Sequence, residues 1–204
     1  MASQAFGDTA IRRQVLESIV RTARSIFDAA ASSIFLWDPD AEELSFEAVS
    51  GNGSDFLVGT RIPADRGIAG WVLQSHEPMI LHEVGGEPAF ARDIAESTGY
   101  VPEHIMAVPL LAADRCLGVL EVLDPVPLGI GDDARDLEFL QMFAEQATLT
   151  LAILDQRRAS AALDLTAAER DTFDRLAHAV CSLGQGERAA SLHALTGLLG
   201  VLSA

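Results

Sequence analysis

Two apolar runs, HIMAVPLLA (104–112) and CLGVLEVLD (116–124), stand three residues apart. A gap of that length fits a β-hairpin. Both runs read as buried strands, so the chain must fold around an antiparallel pair with little water on it. Pro109 inside the first run removes a ladder donor, which predicts a bulge or a sheet edge at that point.

The other elements follow in order. Asp8 to Ala30 has helical spacing, with Ile11, Val15, Ile19 and Ile26 in its stripe and Asp8 or Thr9 as N-cap. SSIFLWD (32–38) and ELSFEAVS (43–50) form a second hairpin across PDAE, and LVGTRIPAD carries a third extended stretch. A helix is expected from Gly67 to Ser75, stopped by Pro78. MILHEV (79–84) is a short strand, followed by a loop, a short helix and a loop. A long helix starts near Asp132–Asp133, acids suited to its positive end. Its stripe is Leu137, Leu140, Phe143, Ala144, Ala147, Leu151 and Leu154, and it continues to Leu163. Leu140 and Leu151 are expected at an interface between two copies of this helix. Beyond it, Thr166-Ala-Ala-Glu169 is a capping box, and GQGE breaks a terminal helical hairpin over 165–202. The order predicts an α/β sandwich with a largely antiparallel sheet.

Composition removes several classes. The net charge is −16, and all 14 basic residues are Arg. Such a surface repels nucleic acid and anionic membranes. No apolar stretch approaches the ~20 residues that span a bilayer. The start, MASQAFGDTAIRRQ, lacks a basic lead and apolar core, so a cytoplasmic location is expected. Cys116 and Cys181 lie too far apart for CxxC chemistry and read as free thiols. No serine-histidine-acid, metal-spaced or paired-carboxylate set stands out, so no enzyme is expected.

RIPADRGIAGWVLQSHEP (61–78) carries the functional signal. RGIAGW fits neither GxGxxG nor a phosphate loop ending in GK[ST], and the chain has no Lys. It reads as a pocket mouth: Gly67 turns the chain into a helix, Ala69 leaves room, and free N–H groups point at a ligand. Glu121, in an apolar strand, must be exposed, paired or facing a polar cavity. Trp71 and Phe90 are candidates for pocket lining or for plain core.

GTRIPADRGIAGWVLQSHEPMILHEV (59–84) and STGYVPEHIMAVPLLAADRCLGVLEVLD (97–124) resemble the two central blocks of GAF domains, and the match extends over roughly residues 8–155. The resemblance implies a GAF-like six-stranded antiparallel sheet sandwiched between helices. It implies a sensor of an unidentified small molecule that dimerises through helices 8–30 and 132–163 and signals to a partner protein. The domain is then 8–163, with 165–204 a helical extension that docks a partner or covers apolar surface. The competing reading is a structural or scaffolding dimer with a degenerate pocket.

Carried over by position from cyclic-nucleotide-binding members, the ligand-binding residues are Ser33, Val49, Ser50, Ile68, Ala69, Ala91, Thr98 and Glu121. Those members have an aromatic and an Asp where this chain has Val49 and Ser50, and Asn-Lys where it has Asp124-Pro125. Loss of the aromatic removes a stacking surface for a purine. Neither cysteine precedes a His, as a bilin attachment in phytochrome-like members requires. Cys116 alone lacks the resolving partner used by the methionine-sulfoxide-reducing members. His76, His82 and His104 fall in or near the expected roof, where one of them would have to hold any haem. The cofactor stays unassigned.

Overall fold

The computed structural model describes residues 2–54, 56–86, 90–113, 115–128 and 133–163. Chain contacts separate two compact units, Met1–Arg157 and Arg158–Ala204. The expected terminal hairpin and Cys181 lie outside the described residues.

The elements are α1 (Ala2–Ile26), β1 (Ala31–Asp38), β2 (Glu43–Gly51), β3 (Arg61–Pro63), α2 (Gly67–Ser75), β4 (Met79–Leu81), α3 (Arg92–Ser97), β5 (Ile105–Ala112), β6 (Arg115–Leu123) and α4 (Asp133–Leu163), with a short 3-10 turn at Val84–Gly86. The six strands form one sheet in the order β3-β2-β1-β6-β5-β4, and every pairing is antiparallel. The two apolar runs therefore lie side by side near the centre of the sheet, where both of their faces are covered.

Alternation along the strands splits the core in two. Ile34, Val108, Leu110, Leu120 and Val122 pack on one face with Leu16, Val20 and Ala23 of α1, Phe27 just after it, and Leu140, Ala147 and Leu151 of α4. Phe35, Phe46, Ala107 and Val119 pack on the other face with Ile68, Ala69, Val72 and Leu73 of α2. Thus the long helices back the sheet, and the short elements between β3 and β5 front it.

Two bulges re-aim side chains. Between Ile34↔Ala48 and Phe35↔Phe46, β2 carries one extra residue, Glu47. Between Pro109↔Val119 and Leu111↔Cys116, the extra residue falls on β6. The irregularity expected at Pro109 is present, but the partner strand supplies it.

Other expectations need correction. Helix α1 begins at Ala2, so Asp8 and Thr9 lie within it instead of capping it. No proline or turn pair precedes Asp8 to stop the helix earlier. It ends at Ile26, and Asp28 turns the chain with φ 43°. The third extended stretch shortens to three residues, because 57–60 turn back on β2: the Thr60 N–H donates to the Leu57 carbonyl at 2.8 Å and the Gly59 N–H to that of Phe46 at 2.8 Å. Leu140 and Leu151 are 0% and 3% exposed and pack into this unit's own core, so neither is free to meet a second copy. Among its described side chains, the large apolar residues that α4 exposes are Phe139, Met142, Leu149 and Ile153.

Candidate functional site

A cross-strand row builds the floor of a cavity. Register places Val49, Ser33, Glu121, Ala107 and Met79 side by side across β2, β1, β6, β5 and β4. The neighbouring row, Ser50, Ser32, Val122, Met106 and Ile80, faces the long helices. Of the expected ligand-binding residues, Ser33 and Glu121 lie on the floor, while Ile68, Ala69, Ala91 and Thr98 line the roof and mouth. These six surround one cavity of about 80 Å3. Val49 lies on the same face beside Ser33, but it packs into the core and does not line the cavity. Ser50 is turned to the opposite face and is 7% exposed. The bulge at Glu47 reverses the alternation that Leu44 and Phe46 begin.

The roof explains the Gly-bracketed segment. Gly67 opens α2 with φ 74°, a conformation that a residue with a Cβ adopts only under strain. Gly70 lets the helix sit directly on the preceding loop: a Cβ there would lie 2.7 Å from the Ala64 carbonyl oxygen. No side chain caps α2, so its first N–H groups are open to a ligand. Arg66 closes the mouth, gripping Asp93 through two hydrogen bonds of 3.0 and 2.8 Å and holding that carboxyl below its ordinary pKa. This exposed pair joins α2 to α3 and contributes little to global stability.

Glu121 is the chemically distinctive residue. It is 9% exposed, lines the cavity, and has no hydrogen-bond or ion-pair partner among the described residues. Burial alone pushes its pKa up to about 7. Its register neighbours on the floor, Ser33 and Ala107, bring no countercharge.

Several lining residues were not foreseen. Phe35 and Phe46 meet at 4.3 Å between ring centroids and line the cavity beside Phe90, which was an expected candidate. The aromatic surface missing at Val49 is thus supplied from other positions. Their alternation with polar residues marks them as strand-facing core, with nothing to show that the core is hollow there. Tyr100 also lines the cavity, and its hydroxyl donates to Asp124 Oδ2, which drives the Tyr100 pKa up to about 12. The other Asp124 oxygen accepts the Glu103 and His104 N–H groups at 2.8 Å each. Asp124 therefore ties the end of β6 to the loop that carries Tyr100.

Other candidates lie elsewhere. Trp71 is 39% exposed and outside the cavity. His76 terminates α2, and the His82 and His104 rings meet edge-to-face at 6.1 Å; none of the three lines the cavity. Cys116 is a buried free thiol outside the cavity, its pKa raised by burial. Among the described residues no cluster of His, Cys, Asp and Glu could hold a metal ion, and no helix is long and apolar enough to cross a membrane.

Six antiparallel strands, backed by two long helices and fronted by a roofed cavity, define an α/β sandwich module. The chain belongs to the GAF domain family, whose model matches residues 12–151. It is 23% identical over 133 residues to the probable 3',5'-cyclic phosphodiesterase pde-5 of Caenorhabditis elegans. That match takes in 61% of this chain but only 18% of the worm protein. The GAF domain of a phosphoenolpyruvate-protein phosphotransferase from Coxiella burnetii superposes with a TM-score of 0.64 at 21% identity, covering 72% of this chain and 86% of that one. A free methionine-R-sulfoxide reductase from Neisseria meningitidis, solved with its substrate, superposes at 0.53 with 22% identity, covering 66% and 76%. GAF domains are generally regulatory, yet the fold also serves this enzyme.

Proposed function

We propose that this chain is a cytoplasmic, non-enzymatic sensor whose ligand contacts Ser33, Ile68, Ala69, Ala91, Thr98 and Glu121. The Glu121 carboxyl in a roofed cavity carries the reading: a polar group is buried there with no bonding partner among the described residues. Cys116 lies outside that cavity, so no described thiol faces the ligand, which favours binding over sulfoxide reduction. Dimerisation through α1 and α4 fits the apolar residues they expose, Ile11 and Ile26 on α1 and the Phe139 to Ile153 stripe on α4. In this reading ligand occupancy shifts the packing of these helices, and a partner protein reads the change, with 165–204 the candidate docking segment.

The size of the cavity favours one competing account. About 80 Å3 is well below the ~300 Å3 at which small-molecule pockets ordinarily begin, as a scaffold with a degenerate pocket would have it. Native mass spectrometry of the purified chain separates the two. A non-covalent adduct that leaves on denaturation supports the sensor. A bare dimer that no compound stabilises in a thermal-shift screen supports the scaffold. Ala69→Trp, at a position 4% exposed in the cavity wall, fills the space and abolishes any ligand-dependent rise in Tm, with Ala91→Phe as the less buried companion. A ligand at ~100 times its Kd adds roughly 2.7 kcal/mol to the wild type. The same gain in both folded variants would overturn the pocket assignment.

A further inference from the structure

We propose that the cavity takes a small zwitterion, its ammonium against Glu121 and Ser33 on the sheet and its carboxylate at the N-terminus of α2. The inference rests on the sensor reading above and gives its ligand a chemical class.

The two ends of the cavity ask for opposite groups. At the floor, Glu121 is buried and has no partner among the described residues, with Ser33 beside it across the strand pair. Its pKa is raised to about 7 by desolvation alone, so an arriving cation restores its charged form. At the roof, Gly67, Ile68 and Ala69 of the uncapped first turn line the same space. Their N–H groups and the helix dipole favour an anion. An amine alone leaves those donors unmet, and an acid alone leaves Glu121 unmet.

The space between the ends is apolar, walled by Phe35, Phe46, Leu57 and Ile105. Its volume of about 80 Å3 is smaller than the ~150 Å3 apolar cavity that takes benzene. The occupant is therefore among the smallest amino-carboxylic acids, of the size of glycine or alanine. The other titratable or charged groups that line the space are Arg66, held by Asp93, and Tyr100, bonded to Asp124. Glu121 is thus the group whose charge changes near neutrality.

The test is calorimetric titration of the exhaustively dialysed full chain at about pH 6 and about pH 8. The probes are glycine and L-alanine, their amines (methylamine and ethylamine) and their acids (acetate and propionate). At least one amino acid is expected to bind, with its amine and acid each weaker by roughly tenfold or more. Its affinity should rise roughly tenfold from the lower to the higher pH, as Glu121 ionises. Glu121→Gln should remove that rise and weaken binding by at least about tenfold, with circular dichroism unchanged. An acid that binds as tightly as its parent overturns the proposal, as does a folded Glu121→Gln protein with wild-type affinity and pH dependence. If no probe binds while native mass spectrometry finds an adduct of another class, the zwitterion fails and the pocket stands. Wild-type affinity for the amino acid in folded Ala69→Trp overturns the pocket itself.

Discussion

Leu140→Asp is expected to cost more than about 4 kcal/mol and to leave most of the chain unfolded at 37 °C. Leu140 is 0% exposed, on the face of α4 that packs with α1 and the sheet. A carboxylate there is removed from water and set among apolar side chains. Domains of this kind have only about 5–15 kcal/mol in total, so the loss takes a large share of it. Leu151→Asp, at 3% exposure, should behave alike. Leu149→Asp and Ile153→Asp form the contrast, since these residues are 63% and 55% exposed on the opposite face. Both variants should keep the Tm of the isolated domain within a few degrees. If α4 forms a dimer through this stripe, the pair should convert the dimer to monomer in light scattering. Urea denaturation of all four variants checks the ordering. A folded Leu140→Asp protein of unchanged stability would mean that α4 packs the other way round.

That contrast shows what the sequence made legible. A single helical stripe was readable in 133–163, and the residues of its core face are those expected. What could not be read was that Leu140 and Leu151 are consumed by the chain's own sheet, because the apolar spacing of a helix does not say what covers it. The hairpins β1–β2 and β5–β6 were legible from their turns and gaps, the pairing of β1 with β6 was not, and α2 from Gly67 to Ser75 emerges with the expected bounds. The family carry-over reached the floor of the site at Ser33 and Glu121, the second marked also by its place in an apolar strand. It failed at Ser50, because one extra residue in β2 reverses the faces, and no residue type announces a bulge at Glu47. Tyr100 and Asp124 meet across 24 positions of sequence, a pairing that depends on how the loop after α3 returns to the sheet.

Glu121→Gln is expected to stabilise the unliganded protein above neutral pH and to leave it nearly unchanged in acid. Burial raises the folded-state pKa of Glu121 to about 7, above its ordinary value of 4.5. The fold therefore keeps a proton that the unfolded chain releases. Below the ordinary value both states are protonated, and the carboxyl carries no charge penalty. As pH rises from there through about 7 the stability falls, and above that it levels off. The displacement corresponds to a difference on the order of 3 kcal/mol between the two plateaus. Glutamine is nearly the same size and never ionises, so it removes this pH-dependent loss. The other titrating groups remain in both proteins and cancel in the comparison. Urea denaturation of wild type and variant at about pH 4 and about pH 8.5 should show the variant ahead only at the higher pH. Adding a saturating cationic ligand should close that gap, because a charge that meets Glu121 stabilises the ionised wild type and gains much less from glutamine. A gap that is the same in acid and base would mean that the carboxyl is already hydrated or paired, and the floor of the cavity would then have no unmet charge to offer.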